Sequence, residues 1–299
     1  MFSTEDPFIQ FLKTRQGRRI YLKPYWGNAG DGLIWMGNEV ILQELGMNQV
    51  LDPRQADIIL WPGGNPTMYQ GNLDGWQECW RAFPSAEFVV GPATFHGTEF
   101  DWRILLKGSK ARLAGLFARD PESYRNLQEL GLPSQTAIGL AHCPAFSLKG
   151  TAWIEGHRKA ATAEYVLASF RGDRESAFKR PVDRKIYEIW PLTSFHFRAQ
   201  RRRRAQYFRE RLETVKRMSG SNNVLESDVA MMSFHFFVET VRRASEVHTD
   251  RLHCMILAAL LGKKVFAYPT AYAKLESVYQ HSVASWALVQ FVDDRHVHE

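Results

Sequence analysis

The sequence predicts an α/β protein of two doubly wound domains with a cleft between them, and three observations lead there. Short apolar runs that read as strands alternate with segments of helical periodicity through the first half of the chain. The alternation starts afresh after a polar stretch near residue 150. The glycine-rich and charged pieces fall in the loops after the strands, where open parallel sheets hold ligands.

Taken in order, "RRIYLKPYW" (18–26) is a strand running into a loop. "GNAGDGLIWMGNEVILQELG" (27–46) is a loop and then a helix, with Ile34, Val40, Ile41 and Leu45 at helical spacing and Gly46 at its end. "ADIILWPGGN" (56–65) is a buried strand ending in a Gly-Gly turn, "AEFVVGPATF" (86–95) the next strand and "ARLAGLFARD" (111–120) a fourth. "PESYRNLQELG" (121–131) is a helix with Pro at its start and Gly at its end, and "QTAIGLAHCPAF" (135–146) closes the set. Residues 149–163 read as an inter-domain crossing, so the expected domains are 1–150 and 151–299. The second set opens with "AEYVLASFRGDRES" (163–176). A basic, irregular region with one central helix follows (177–222), then a short strand within 222–229. Residues 236–270 read helix, strand, helix, strand, and 273–287 read as helix.

The chain has 299 residues, enough for two domains; 45% are hydrophobic and 23% charged, the balance of a globular protein with a real core. Its net charge is +6, concentrated in "RAQRRRRAQYFRER" (198–211), which suits anionic partners without choosing among them. No aromatic-interleaved recognition motif accompanies that run, so nucleic acid is not expected; a solvated helix face and a peripheral contact with an anionic membrane through 198–212 both stay open. The three cysteines, Cys79, Cys143 and Cys254, form no CxxC, and no histidine pair has metal spacing, so neither a metal nor a disulfide framework is expected. His96, His142, His235 and His248 read as ordinary hydrogen-bonded histidines. The N-terminus is not a secretory signal and no apolar run approaches the ~20 residues of a membrane span. A cytoplasmic location, with the inner membrane face as a peripheral site, is expected.

The stretch "SEVHTDRLHCMILAALLGKKVF" (245–266) places Arg251 and His253 in the first turn of an apolar helix, with Thr249 or Asp250 as its cap. Free N–H groups, the helix dipole and a guanidinium there favour an anion; an Arg251–Asp250 pair at an ordinary helix start is the simpler alternative. "GNAGDG" (27–32) and "WPGGNPT" (61–67) allow close approach of a ligand to backbone, and Asp31 reads equally as a helix cap. In "LFARDPES" (116–123), Arg119 faces the ligand side of the sheet or forms a surface salt bridge.

Taken together, these pieces resemble the polysaccharide pyruvyl transferase family. "GNAGDGLI" (27–34), "WPGGN" (61–65), "ARDPESYRNLQELG" (118–131) and "ASEVHTDRLHCMILAALLGKKV" (244–265) match its patterns in order, over about residues 18–285. One position departs: the family often has "DPAF" where this chain has "CPAF" (143–146). The resemblance implies two Rossmann-like domains in a GT-B-like arrangement. It also implies transfer of the enolpyruvyl carbons of phosphoenolpyruvate to a sugar as a pyruvate ketal in exopolysaccharide biosynthesis, with no cofactor and a free or lipid-linked acceptor. It maps donor binding onto Arg251, Leu252, His253 and Arg119 and the opening-loop carboxylate onto Asp31. Asn28, Gly30, Gly63 and Gly64 are the expected loop contacts. His253, touching the phosphate or acting as acid, and Asp31, orienting or deprotonating the acceptor, are the expected catalytic pair. A nucleotide-sugar glycosyltransferase of the same architecture is the alternative.

Overall fold

The computed structural model describes residues 5–25, 27–65, 70–95, 113–172, 176, 193–271 and 273–292. In chain order the first half holds helix α1 (Pro7–Lys13), strand β1 (Arg19–Leu22), α2 (Asp31–Glu44), β2 (Asn48–Gln49), β3 (Ile58–Trp61), α3 (Gln70–Ala82), β4 (Glu87–Ala93), β5 (Leu113–Ala118), α4 (Pro121–Gln128) and β6 (Ala137–Leu140). A 3-10 turn (Pro144–Leu148) and α5 (Ala152–Lys159) lead into the second half. That half holds β7 (Tyr165–Ser169), α6 (Thr193–Ser219), β8 (Val224–Glu226), α7 (Phe234–Arg243), β9 (Ala244–Thr249), α8 (Leu252–Leu260), β10 (Lys264–Ala267), α9 (Lys274–Ser282) and β11 (Val289–Phe291).

The strands form two sheets, ordered β2-β1-β3-β4-β5-β6 and β11-β10-β9-β7-β8, with every strand pairing parallel. Parallel strands need crossover helices, and those helices cover both faces. This is why β3 and β5 are buried along their whole length and read as unbroken apolar runs. Two doubly wound, Rossmann-like halves result, each presenting the carboxyl ends of its strands on one edge.

The halves are packed into each other. Leu33 and Ile34 of α2 belong to the same buried cluster as Val241, Leu252, Ile256 and Leu257 of the second half. Truncating a fully buried side chain such as Leu257 to Ala costs about 2–5 kcal/mol. Gly37 of α2 lies against the 3-10 turn so closely that a Cβ would come within 2.0 Å of the Pro144 carbonyl oxygen. At the other end, α9 returns to the first half, where His142 Nδ1 and Ser282 Oγ are 3.0 Å apart.

The expected strands and helices are present, and five elements were not foreseen: α1, α3, β2, α5 and β11. The crossing contains α5, capped by the Thr151 hydroxyl. The central basic helix is α6, 27 residues long; residues 177–192 before it lie outside the described set. Among the described residues no helix is long and apolar enough to cross a membrane.

Candidate active site

The site begins with an uncapped helix. Neither Thr249 nor Asp250 caps α8. The Thr249 hydroxyl donates to the Ser169 carbonyl and accepts from the Arg251 N–H (2.9 Å), while the Asp250 carboxylate accepts from the Arg171 N–H (2.8 Å). Both candidate caps are spent tying β9 to β7, and the helix starts at Arg251 with no side-chain cap. Its first-turn N–H groups stay directed at the loop ahead. Burial holds the Asp250 carboxyl up at about 6, against the opposing charges of Arg211, Arg171 and Arg251.

His253, in that first turn, reaches the glycine loop of the other half. Gly30 packs on it so tightly that a Cβ there would lie 2.6 Å from His253 Cβ and 2.9 Å from Nδ1. His253 Nδ1 is 3.7 Å from Asp31 Oδ1. The other carboxylate oxygen of Asp31 accepts from the Asn28 N–H (2.8 Å), and the Asn28 side chain accepts from the Gly30 N–H (2.9 Å). Asn28, Gly30 and Asp31 thus fix one another, and the loop is held to the second half by the Ala29 N–H donating to the Ala230 carbonyl (3.2 Å). Asp31 is both a loop-closing group and a neighbour of the imidazole.

On its other nitrogen His253 faces Cys143, with Nε2 and Sγ 3.8 Å apart. Arg119 lies beyond, with Nη1 3.9 Å from the sulfur and Nε donating to the Thr94 hydroxyl at 2.9 Å. Arg119 is 2% exposed, and among the described residues Thr94 and Cys143 are its only hydrogen-bond partners and no carboxylate forms an ion pair with it. The alternative of a surface salt bridge is not what is found: Arg119 is buried, and Asp120 turns away to cap α4 through Ser123. Burial, and then the charges of Arg119, Lys274 and Arg171, hold His253 well below its usual pKa of 6.5. Burial likewise raises the Cys143 thiol, so the site at neutral pH presents a neutral imidazole and a neutral thiol beside a buried cation.

Tyr25 completes the wall. Its ring lies between Trp35 (6.0 Å) and Trp61 (5.4 Å), and its hydroxyl is buried near the Asp31 carboxylate. Burial, and then the Asp31 charge, push the phenol well above 10, so it remains a donor. The Gly63–Gly64 turn supports this corner. Both residues have positive φ (+119° and +89°), and the Gly64 N–H donates to the Pro92 carbonyl (3.2 Å). A Cβ on Gly64 would sit 3.1 Å from the Tyr25 hydroxyl.

The structure therefore brings His253, Asp31, Asn28, Gly30, Arg119 and Gly64 together at the junction of the two carboxyl edges. Gly63 forms the turn beneath. Leu252 is 5% exposed and packs in the core, offering only its backbone. Arg251 pairs with Asp228 at 2.5 Å, and not with Asp250. Cys143, Thr94, Tyr25 and Asp228 were not named as site residues from the sequence. The signal for Cys143 was its departure from the family pattern; Thr94 lies at the end of the run 86–95 read as a strand, where ligands are expected in such sheets; Tyr25 carried none. His248 is satisfied by Tyr268 and Glu246 and His142 by Ser282, whereas His96 lies outside the described residues.

Fold and site define a two-domain α/β protein with a buried cationic centre between its halves. The sequence model of the polysaccharide pyruvyl transferase family matches residues 22–272, and the chain belongs to that family. No curated protein matches the sequence. Among solved structures, a functionally uncharacterized protein from Klebsiella pneumoniae shares the fold with a TM-score of 0.63 at 19% identity, over 98% of this chain and 99% of that one. A UDP-GlcNAc 2-epimerase from Methanocaldococcus jannaschii has a TM-score of 0.42 at 9% identity, over 92% and 88% of the two chains. One from Neisseria meningitidis has 0.39 at 12% identity, over 96% and 83%.

Proposed function

We propose that this chain transfers the pyruvyl carbons of phosphoenolpyruvate to a saccharide as a ketal and releases phosphate. Family membership supports pyruvyl transfer to a polysaccharide or its precursor. The observation that carries the donor assignment is Arg119, a buried guanidinium with no ion pair among the described residues, next to an uncapped helix start. Burying a charge without a counter-ion is costly, and a small dianionic ligand removes that cost.

The chemistry follows from the charges. His253 is neutral while the site is empty. A donor carrying phosphate and carboxylate offsets the cations around it and raises its proton affinity. His253 then delivers a proton to the methylene carbon. Asp31 takes the proton of a sugar hydroxyl as that oxygen attacks the central carbon. The C–O bond to phosphate breaks, a second hydroxyl closes the ring, and its proton leaves with the phosphate. Tyr25 and the first-turn N–H groups of α8 stabilise the developing charge. Arg251 acts through Asp228 to set the start of α8.

The test is phosphate release from phosphoenolpyruvate across a panel of sugar acceptors. Wild type should turn over with at least one sugar, and His253→Ala should lose about 10²–10⁴-fold in rate. Full activity in His253→Ala removes the imidazole from the mechanism. Glycosyl transfer from a nucleotide sugar with release of its nucleotide, and no phosphate release from phosphoenolpyruvate, overturns the donor assignment.

A further inference from the structure

We propose that a second cavity, at the carboxyl ends of β7 and β8, binds one neutral pyranose ring; that this ring belongs to the acceptor rests on the function proposed above. The cavity measures about 260 Å³ and is bounded by Phe170 after β7, Glu226, Ser227 and Asp228 after β8, and Arg204 and Phe208 of α6. Its size lies below the roughly 300–1,000 Å³ of sites for drug-sized ligands, which suits a single ring rather than a nucleotide.

Its chemistry is that of a hydroxylated ligand. Glu226 is exposed and makes no hydrogen bond or ion pair among the described residues. Among the described residues the Ser227 hydroxyl meets only the Met232 sulfur, at 4.0 Å, a weak acceptor. The Arg204 guanidinium is fixed by donating to the Gly172 carbonyl (2.7 Å) and lies 5.7 Å from the centre of the Phe208 ring. Carboxylates accept from sugar hydroxyls, a fixed guanidinium donates to them, and the C–H face of a pyranose packs on an aromatic ring. Glu226 offsets the Arg204 charge and Asp228 is already paired with Arg251, so the space has no excess positive charge to attract phosphate as Arg119 does.

Its position joins it to the reaction centre. Asp228 lines the cavity and at the same time holds Arg251 at 2.5 Å, two residues before His253. Arg204 also gives the arginine-rich run a specific contact with the loop after β7.

The test is saturation-transfer NMR on the full chain with the methyl glycosides of glucose, galactose, mannose and N-acetylglucosamine. At least one should bind wild type, and Phe208→Ala and Glu226→Gln should each weaken that binding about tenfold or more. Arg204→Ala, at an exposed position, is the check should Phe208→Ala fail to fold. In the same variants the rise in thermal midpoint caused by phosphoenolpyruvate should equal that of wild type. No binding of any glycoside, or equal binding by wild type and variants, overturns the proposal. So does loss of the phosphoenolpyruvate response in Glu226→Gln, which would give the cavity to the donor. A wild type that binds a glycoside but ignores phosphoenolpyruvate sinks the donor assignment and leaves the sugar site standing.

Discussion

Cys143 Sγ lies 3.8 Å from His253 Nε2, while Asp31 Oδ1 approaches the other nitrogen of the same ring at 3.7 Å. The thiol occupies the place where the family often has a carboxylate. It accepts from Arg119 but supplies no charge to hold a proton on the imidazole. Cys143→Asp should therefore raise the His253 pKa by about 1–3 units, the effect of an opposite charge at this range. The imidazole proton resonances, followed against pH, report it directly. An unchanged titration would mean that position 143 does not act on His253.

Arg119 makes a separable prediction about stability and binding. Replacing it with Met removes a buried charge that has no ion pair among the described residues and leaves the Thr94 hydroxyl without one partner. These effects oppose each other, so the thermal midpoint should stay within the equivalent of about 1–2 kcal/mol of wild type. The stabilisation given by saturating phosphoenolpyruvate should vanish. Calorimetric scans with and without the donor measure both. A variant that still responds fully to it would place the anion elsewhere.

How far the sequence revealed this site depended on how far each contact reaches along the chain. Strand and helix order was legible because apolar periodicity is local, and Asp31, Arg119 and His253 stood at predictable strand-to-helix corners. α3 was not, since Gly71 and Gly75 interrupt its helical pattern while Trp76 and Trp80 are buried by packing. The cap of α8 was misread for a physical reason. Thr249 and Asp250 are good cap residues, but their partners, Ser169 and Arg171, lie about 80 positions earlier. The Arg251–Asp228 pair and the Cys143–His253 contact are equally non-local, so no spacing rule could have found them.

Gly30→Ala isolates geometry from chemistry. The backbone at Gly30 is right-handed helical (φ −64°, ψ −27°), which alanine adopts freely. The added methyl would still come within 2.6 Å of His253 Cβ, so the imidazole has to move. A displacement near 1 Å at a reacting group costs on the order of 10²-fold in rate. The expected result is a large fall in kcat with little change in thermal midpoint. A fully active Gly30→Ala protein would show that the loop does not position the histidine.

The contact between α9 and the first half predicts how stability follows pH. The His142 and His281 rings stack at 4.6 Å. Burial holds each below the usual 6.5, and His142 further depresses His281. Below pH 6.5 the unfolded chain takes up protons that these folded rings refuse, so stability is complete above that pH and falls as pH drops through it. Asp250, raised to about 6, works in the opposite sense between its folded value and 3.8, because the folded carboxyl binds a proton that the unfolded one has released. The histidine effect is therefore cleanest between pH 7.5 and 6.0. There the thermal midpoint should fall, by roughly 2–4 °C for each kcal/mol lost. His281→Phe keeps an aromatic partner for His142 and removes one proton site, so the same scans should show a shallower fall. An identical slope in wild type and His281→Phe would acquit this pair and leave the acid sensitivity to His253 and His248, which burial also holds below 6.5.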